Sequence, residues 1–239
     1  MKNRKWMWCL PLALLPLFVS LSPAYGDLYW EYEEVSGGMP AGFPEDLPKQ
    51  VRDQMLAQFK PKTETTKHYL TSYASRTETG EMIIIMDFRN MTVYQINPSD
   101  KTYRKMNMMS EMGQMGEGMA EGRQVRASNE TKKIAGYTCR KYIVSVMGLE
   151  NEHWLSKDVK GYAEYKAMTE KMYESNPRLK QMQMGGTSDM QGFPVKTVSN
   201  VMGITTTTTL KKIEKRTLSK DLFEVPRGYK LIELEMPPR

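Results

Sequence analysis

The chain has 239 residues, with 34 Lys+Arg against 28 Asp+Glu for a formal net charge of +6, and its residues are 40% hydrophobic and 26% charged. This balance is too apolar for a wholly disordered chain, and two cysteines, Cys9 and Cys139, are too few for a disulfide-built scaffold. The outlying count is 21 Met.

The first 26 residues read as an address. Lys2, Arg4 and Lys5 precede an uncharged, Leu-rich stretch, and Ala24 and Gly26 supply the small residues of a cleavage site before Asp27. The stretch from Trp6 to Leu21 is short of the roughly 20 residues of a membrane-spanning helix, and it contains Pro11 and Pro16. Cys9 sits too early to serve as a lipid-attachment site. The expectation is a cleaved signal peptide over 1–26 and an exported, periplasmic domain over 27–239.

Loss of this segment removes three basic residues and no acidic one, which lowers the net charge to +3. The remaining basic cluster, Lys211-Lys212 and Lys215-Arg216, is interrupted by Glu214 and reads as a solvated strand face. No nucleic-acid partner is expected. One thiol remains, Cys139, in an apolar strand pattern that predicts burial.

Leu28 to Val35 reads as a first strand, followed by a Gly-rich loop over 37–42. Asp46 resembles an N-cap, and Val51, Met55, Leu56 and Phe59 recur at helical spacing, which predicts an amphipathic helix over 47–59. A meander follows: 62–77, rich in Thr and Tyr, then Met82–Met86, then Thr92–Ile96, then a strand from Thr102, with turns at Thr79-Gly80, Arg89-Asn90 and Asn97–Asp100. Turns this close imply antiparallel neighbours.

Residues 106–122 break the pattern. Met106, Met109, Met112 and Met115 recur every third residue while Gly113, Gly116 and Gly118 weaken helix formation, so an insert that is helical or irregular is expected. Strands resume over 123–133, 136–147 and 150–156. Asp158 starts a predicted helix with Tyr165, Met168 and Met172 in one stripe, and 176–193 read as a loop. Strands over 194–202 and 204–216 hinge at Met202-Gly203, with Ile204, Thr206, Thr208 and Leu210 on one face. A turn at Ser219–Phe223 precedes a last strand, Tyr229 to Met236. The total of nine to eleven strands with two or three short helices predicts a mainly β (α+β) fold: a single curved antiparallel sheet, open as a half-barrel, with helices covering it.

Four segments form an ordered set: Tyr94-Gln95-Ile96-Asn97-Pro98, Ile134-Ala135-Gly136-Tyr137-Thr138-Cys139-Arg140-Lys141-Tyr142, Glu152-His153-Trp154-Leu155-Ser156-Lys157, and Asp221-Leu222-Phe223-Glu224-Val225-Pro226-Arg227-Gly228-Tyr229. Together they resemble an uncharacterised family of exported bacterial proteins that often carry a Met-rich insert. That family is similar to the LolA/LolB-type lipoprotein carriers. The resemblance implies an open β half-barrel whose helices line an apolar cavity. It supplies no catalytic motif, and no residue role is carried over.

Chemistry finds little support in the residues. There is no Gly-x-Ser-x-Gly elbow and no His-Glu-x-x-His, and only His68 and His153 could serve a hydrolytic or zinc site. Both lie in strand-like stretches beside aromatic residues and read as strand or cavity-lining histidines. No enzyme and no cofactor is expected. Three accounts of the Met run stay open. Thioethers are adaptable apolar contacts suited to a lid over a greasy cavity, they are soft ligands suited to Cu(I), or the run is low in complexity. The expected function is a non-enzymatic carrier for an apolar ligand, an acyl chain, lipid or lipoprotein, with peripheral membrane contact. Met55, Phe59, Met106, Met109, Met112 and Met115 are the expected ligand contacts, and a periplasmic Cu(I)-binding protein is the alternative.

Overall fold

A computed structural model describes residues 26–39, 48–108, 123–175 and 190–233. Residues 1–25 of the signal-peptide segment, Asp46, Met109, Met112, Met115, residues 176–189 of the predicted 176–193 loop and residues 234–236 of the last predicted strand lie outside the described residues.

Twelve strands among these residues form one sheet: β1 (Leu28–Gly38), β2 (Lys62–Leu70), β3 (Ala74–Glu78), β4 (Ile83–Asp87), β5 (Thr92–Asn97), β6 (Thr102–Asn107), β7 (Gln124–Ile134), β8 (Tyr137–Val146), β9 (Leu149–Ser156), β10 (Phe193–Val201), β11 (Ile204–Lys215) and β12 (Lys230–Leu231). Two α-helices are described, α1 (Lys49–Gln58) between β1 and β2, and α2 (Tyr162–Ser175) between β9 and β10. The spatial order is β12-β6-β5-β4-β3-β2-β1-β11-β10-β9-β8-β7. The fold is therefore mainly β, with an open and predominantly antiparallel sheet.

The start of β1 is buried on both faces, which is why Leu28-Tyr29-Trp30 reads as a continuous apolar run instead of alternating. On one face Leu28 and Trp30 join a core with Leu70, Phe88, Met108, Phe193, Val195, Leu210 and Met168 of α2. On the other, Tyr29 joins Tyr69, Ala74, Ile85, Ile96, Leu218 and Phe223. We call these the helix face and the C-terminal face.

The C-terminal segment is held across its face by named bonds. The backbone N–H of Arg216 donates to the Asp27 carbonyl at 3.0 Å, and that of Leu218 donates to the Asp27 carboxylate at 3.0 Å. The buried Arg76 guanidinium donates to the Leu222 carbonyl at 2.8 Å and to Glu78 at 2.7 Å. The Arg216 guanidinium lies 3.7 Å from the centre of the Tyr29 ring.

The structure corrects the predicted elements in several places. Residues 62–77 are two strands, separated by a turn built on Thr71. Its hydroxyl accepts from the Tyr73 and Ala74 N–H groups at 3.3 and 3.0 Å and donates to the Ala74 carbonyl at 3.0 Å, so a buried side chain closes the turn without Gly or Pro. Thr71→Val keeps the shape and removes these bonds. A loss of about 1–3 kcal/mol is expected, read as a lower midpoint of urea unfolding with an unchanged slope.

The helix from Asp158 begins later, at Tyr162, because the Tyr162 N–H closes back on the Val159 carbonyl at 3.0 Å. Among the described residues the last strand is Lys230–Leu231, and it pairs parallel to β6. The crossing segment reaches the sheet edge at Lys101, where β6 begins, so β12 runs with β6 and not against it. Met106 belongs to β6, and Met108 is buried in the core. The regular structure therefore extends past the predicted start of the Met-rich insert.

Candidate functional site

The helix face carries the apolar chemistry. Register sets two cross-strand rows on it. One runs Leu28–Leu70–Ser75–Met86–Val93–Met106 over β1 to β6, and the next runs Trp30–His68–Thr77–Ile84–Gln95–Arg104.

The β1–β2 end of these rows is filled. Trp30 stacks on His68 with ring centres 5.0 Å apart, and the rings are nearly parallel at 7°. Tyr32 meets His68 edge-on at 5.4 Å. From above, Tyr165 of α2 meets Trp30 at 6.1 Å and Phe193 at 5.0 Å, both edge-to-face. His68 Nδ1 lies 3.2 Å from the Thr77 hydroxyl. Burial pushes the His68 pKa down to about 4, so the ring is neutral at physiological pH. Burial raises the Tyr32 and Tyr165 phenols above their ordinary values, so both stay protonated. The Tyr32 hydroxyl donates to the Pro194 carbonyl at 2.8 Å, which ties β1 to the start of β10.

Farther along, the rows open. Ile84, Val93 and Met106 are half-buried and Met86 is exposed. Met91 and Val93 pack against the core, and the Met108 N–H donates to the Met91 carbonyl at 2.8 Å, which anchors the end of β6. The apolar row Met86–Val93–Met106 is thus continuous with the core beneath α2 yet partly uncovered among the described residues. Gln95 and Arg104 in the adjacent row supply polar groups beside it.

Of the residues expected to contact ligand, Met106 lies in this row. Phe59 is half-buried at the end of α1 and belongs to neither core, and Met55 lies within α1. Met86, Val93 and Ile84 are not among the residues expected from the sequence. Their signal is present in Met82–Met86, apolar on both faces, but the row they form depends on pairing with β5 and β6.

Cys139 is buried and unbridged, as its strand pattern predicts, and burial raises its pKa above the ordinary thiol value. The His153 pKa is lowered by burial and by the positive charge of Arg123. A concavity of about 410 Å³ lies beside β8, lined by Thr131, Cys139, Arg140, Tyr142, Leu155 and Gln191 among others. Polar and apolar groups line it about equally, and it is separate from the methionine row. Among the described residues no group of three His, Cys, Asp or Glu could hold a metal ion, and no helix is long and apolar enough to cross a membrane.

The class these features define is a mainly β domain with an apolar, partly open face. The model of a family described as a domain of unknown function, DUF4412, matches residues 47–229, and the chain belongs to that family. No protein of curated function matches it. Among solved structures, the chain is similar to an uncharacterised conserved protein from Thermus thermophilus, at 8% identity and a TM-score of 0.49, over 87% of this chain and 90% of that one. It is similar to PNGF-II at 15% identity and a TM-score of 0.39, over 84% of this chain but 30% of that one. It is also similar to a LolA superfamily protein from Nitrosomonas europaea at 8% identity and a TM-score of 0.31, over 84% of this chain and 91% of that one.

Proposed function

We propose that the protein is a periplasmic, non-enzymatic carrier that holds an apolar ligand, an acyl chain of a lipid or lipoprotein, against the helix face of its sheet. The observation that carries this reading is the row Met86–Val93–Met106, apolar, partly open and continuous with the buried core. In this reading the sheet is a half-barrel whose concave side is the helix face, with α1 and α2 as its covering helices. The N-terminal 26 residues are the export signal. Apolar contact supplies the affinity, and unbranched methionines adapt to chains of differing shape. Gln95 and Arg104 are placed to orient a polar head group, as a mostly apolar site requires.

The test is titration of a fluorescent fatty acid into the wild-type protein and a Met86→Gln/Met106→Gln variant. Gln is close to Met in size, and Met86 is exposed and Met106 only half-buried, so an unchanged circular dichroism spectrum checks that the fold is retained. We expect the variant to bind at least about tenfold more weakly, since two thioethers would no longer be removed from water on binding. Equal affinity, or no binding by the wild type, would overturn the reading.

A further inference from the structure

The apolar surface at one end of the sheet has no part in the row described above. Strand β8 turns into β9 at Met147-Gly148, and β10 turns into β11 at Met202-Gly203. The two turns have matching conformations: Met147 and Met202 both at φ 50°, with Gly148 at φ 79° and Gly203 at φ 87°. Both central residues are left-handed, as in the tight hairpin turn that favours Asn-Gly and Asp-Gly. A side chain with a Cβ is strained there, and Met, unlike Asn or Asp, makes no compensating local hydrogen bond. Both methionines are nevertheless at the tips, 71% and 76% exposed.

Register makes the two tips neighbours. Val146 pairs with Leu149 and Val201 pairs with Ile204. Asn151 pairs with Ser199, so two residues farther on Leu149 comes level with Val201. Val146, Leu149, Val201 and Ile204 therefore form one uncharged apolar row across four strands directly behind the tips. Leu149 is 44% and Val201 48% exposed. Strand spacing puts the hairpin centres about 10 Å apart. Ile204 pairs with Gly38, and the next residue, Met39, is exposed at the same end of β1.

The same end carries α1. It leaves after β1 and returns at Lys62, which pairs with Ser36. It carries exposed Lys49 and Val51, and the exposed Lys60 follows it, held at this end because Pro61 packs on Gly37 and Gly38 lies against Gly203. Apolar tips flanked by cations match one surface chemistry in particular, an anionic bilayer, where methionines enter the acyl boundary and lysines meet phosphates.

We propose that this rim, Met147, Leu149, Val201 and Met202 with the basic flank of α1, is a membrane-docking edge that seats the protein on an anionic lipid surface. It lies at the lip of the helix face, since Ile204 shares a face with Leu210 of the core.

The experiment is flotation of the full exported chain with vesicles of phosphatidylethanolamine and phosphatidylglycerol, and in parallel with neutral phosphatidylcholine vesicles. The wild type floats with the anionic vesicles, and about 0.5 M salt or the neutral lipid lowers the bound fraction several-fold. Met147→Asn/Met202→Asn lowers it by at least about tenfold. Because Asn accepts the left-handed conformation, this variant keeps or raises its melting temperature. It also keeps the affinity for soluble fatty acid that Met86→Gln/Met106→Gln loses, so failure of docking and failure of the carrier reading are distinguishable. Equal flotation of variant and wild type would overturn the proposal. So would absence of wild-type flotation, or a wild-type dimer that the Asn variant converts to monomer, which would make the rim an interface between copies.

Discussion

Replacement of Trp30 by Ala is expected to destabilise the protein by about 3–5 kcal/mol. The indole is 8% exposed and holds three rings in place: His68 by stacking, and Tyr165 and Phe193 edge-on. Its removal leaves a cavity between the sheet and α2 and takes from α2 one of the principal surfaces on which Tyr165 rests. Aromatic packing of this kind contributes beyond simple burial of area. The measurement is urea unfolding followed by circular dichroism, with limited proteolysis as a second readout. Cleavage within α2 should become faster in the variant before global unfolding. Trp30→Phe, which keeps a ring in the stack, should lose less than half as much. A Trp30→Ala protein as stable as wild type would show that the aromatic layer does not hold the helix.

The second large effect is acid sensitivity. The folded-state pKa of His68 is about 4, against an ordinary value near 6.5, because burial penalises the charged ring. Above pH 6.5 the ring is neutral in both folded and unfolded chains and contributes no pH dependence. As pH falls from 6.5 towards 4 the unfolded chain takes up a proton that the folded chain refuses, so stability falls. The loss approaches about 2–3 kcal/mol and levels off below about pH 4, where both states are protonated. His153, also depressed, adds to the loss in the same direction. Glu152, held low by Lys141, and Glu164, held low by Lys215, lose their stabilisation at more acid pH, below the ordinary carboxylate range. The window between about 7.5 and about 5.5 therefore isolates the histidines. His68→Gln should flatten most of the decline in unfolding free energy across that window. An unchanged slope in the variant would assign the acid sensitivity elsewhere.

Most of the strands were legible because their signals are local. The alternation Tyr142, Val144, Val146 and the turn residues at Asn97–Asp100 both act within a few residues, and both are observed. The Asn97 side chain accepts from the Ser99 and Asp100 N–H groups, closing that turn from within. The hairpin at Thr71 was missed because a buried Thr hydroxyl takes the place of Gly or Pro, and its hydrogen bonds depend on how deeply it is buried. The late start of α2 was missed for a related reason. Asp158 has the composition of a cap, but the chain first makes the close turn at Val159–Tyr162. The parallel placement of β12 depends on where the C-terminal segment ends its crossing of the sheet, which no local pattern encodes.

For the candidate site the division is sharper. Composition pointed to methionine, and three-residue spacing drew attention to the run after Met106. The structure instead ranks Met106 with Met86, from a different hairpin, and puts Met147 beside Met202. What the sequence by itself determined is a mainly β, antiparallel-dominated chain with one buried thiol and a surplus of thioethers, because strand alternation, turn residues and composition are properties of short windows. What only the tertiary structure decided is which thioethers act together. That is set by strand register and sheet order, and both are consequences of packing Leu28, Trp30 and Phe193 against a helix from elsewhere in the chain.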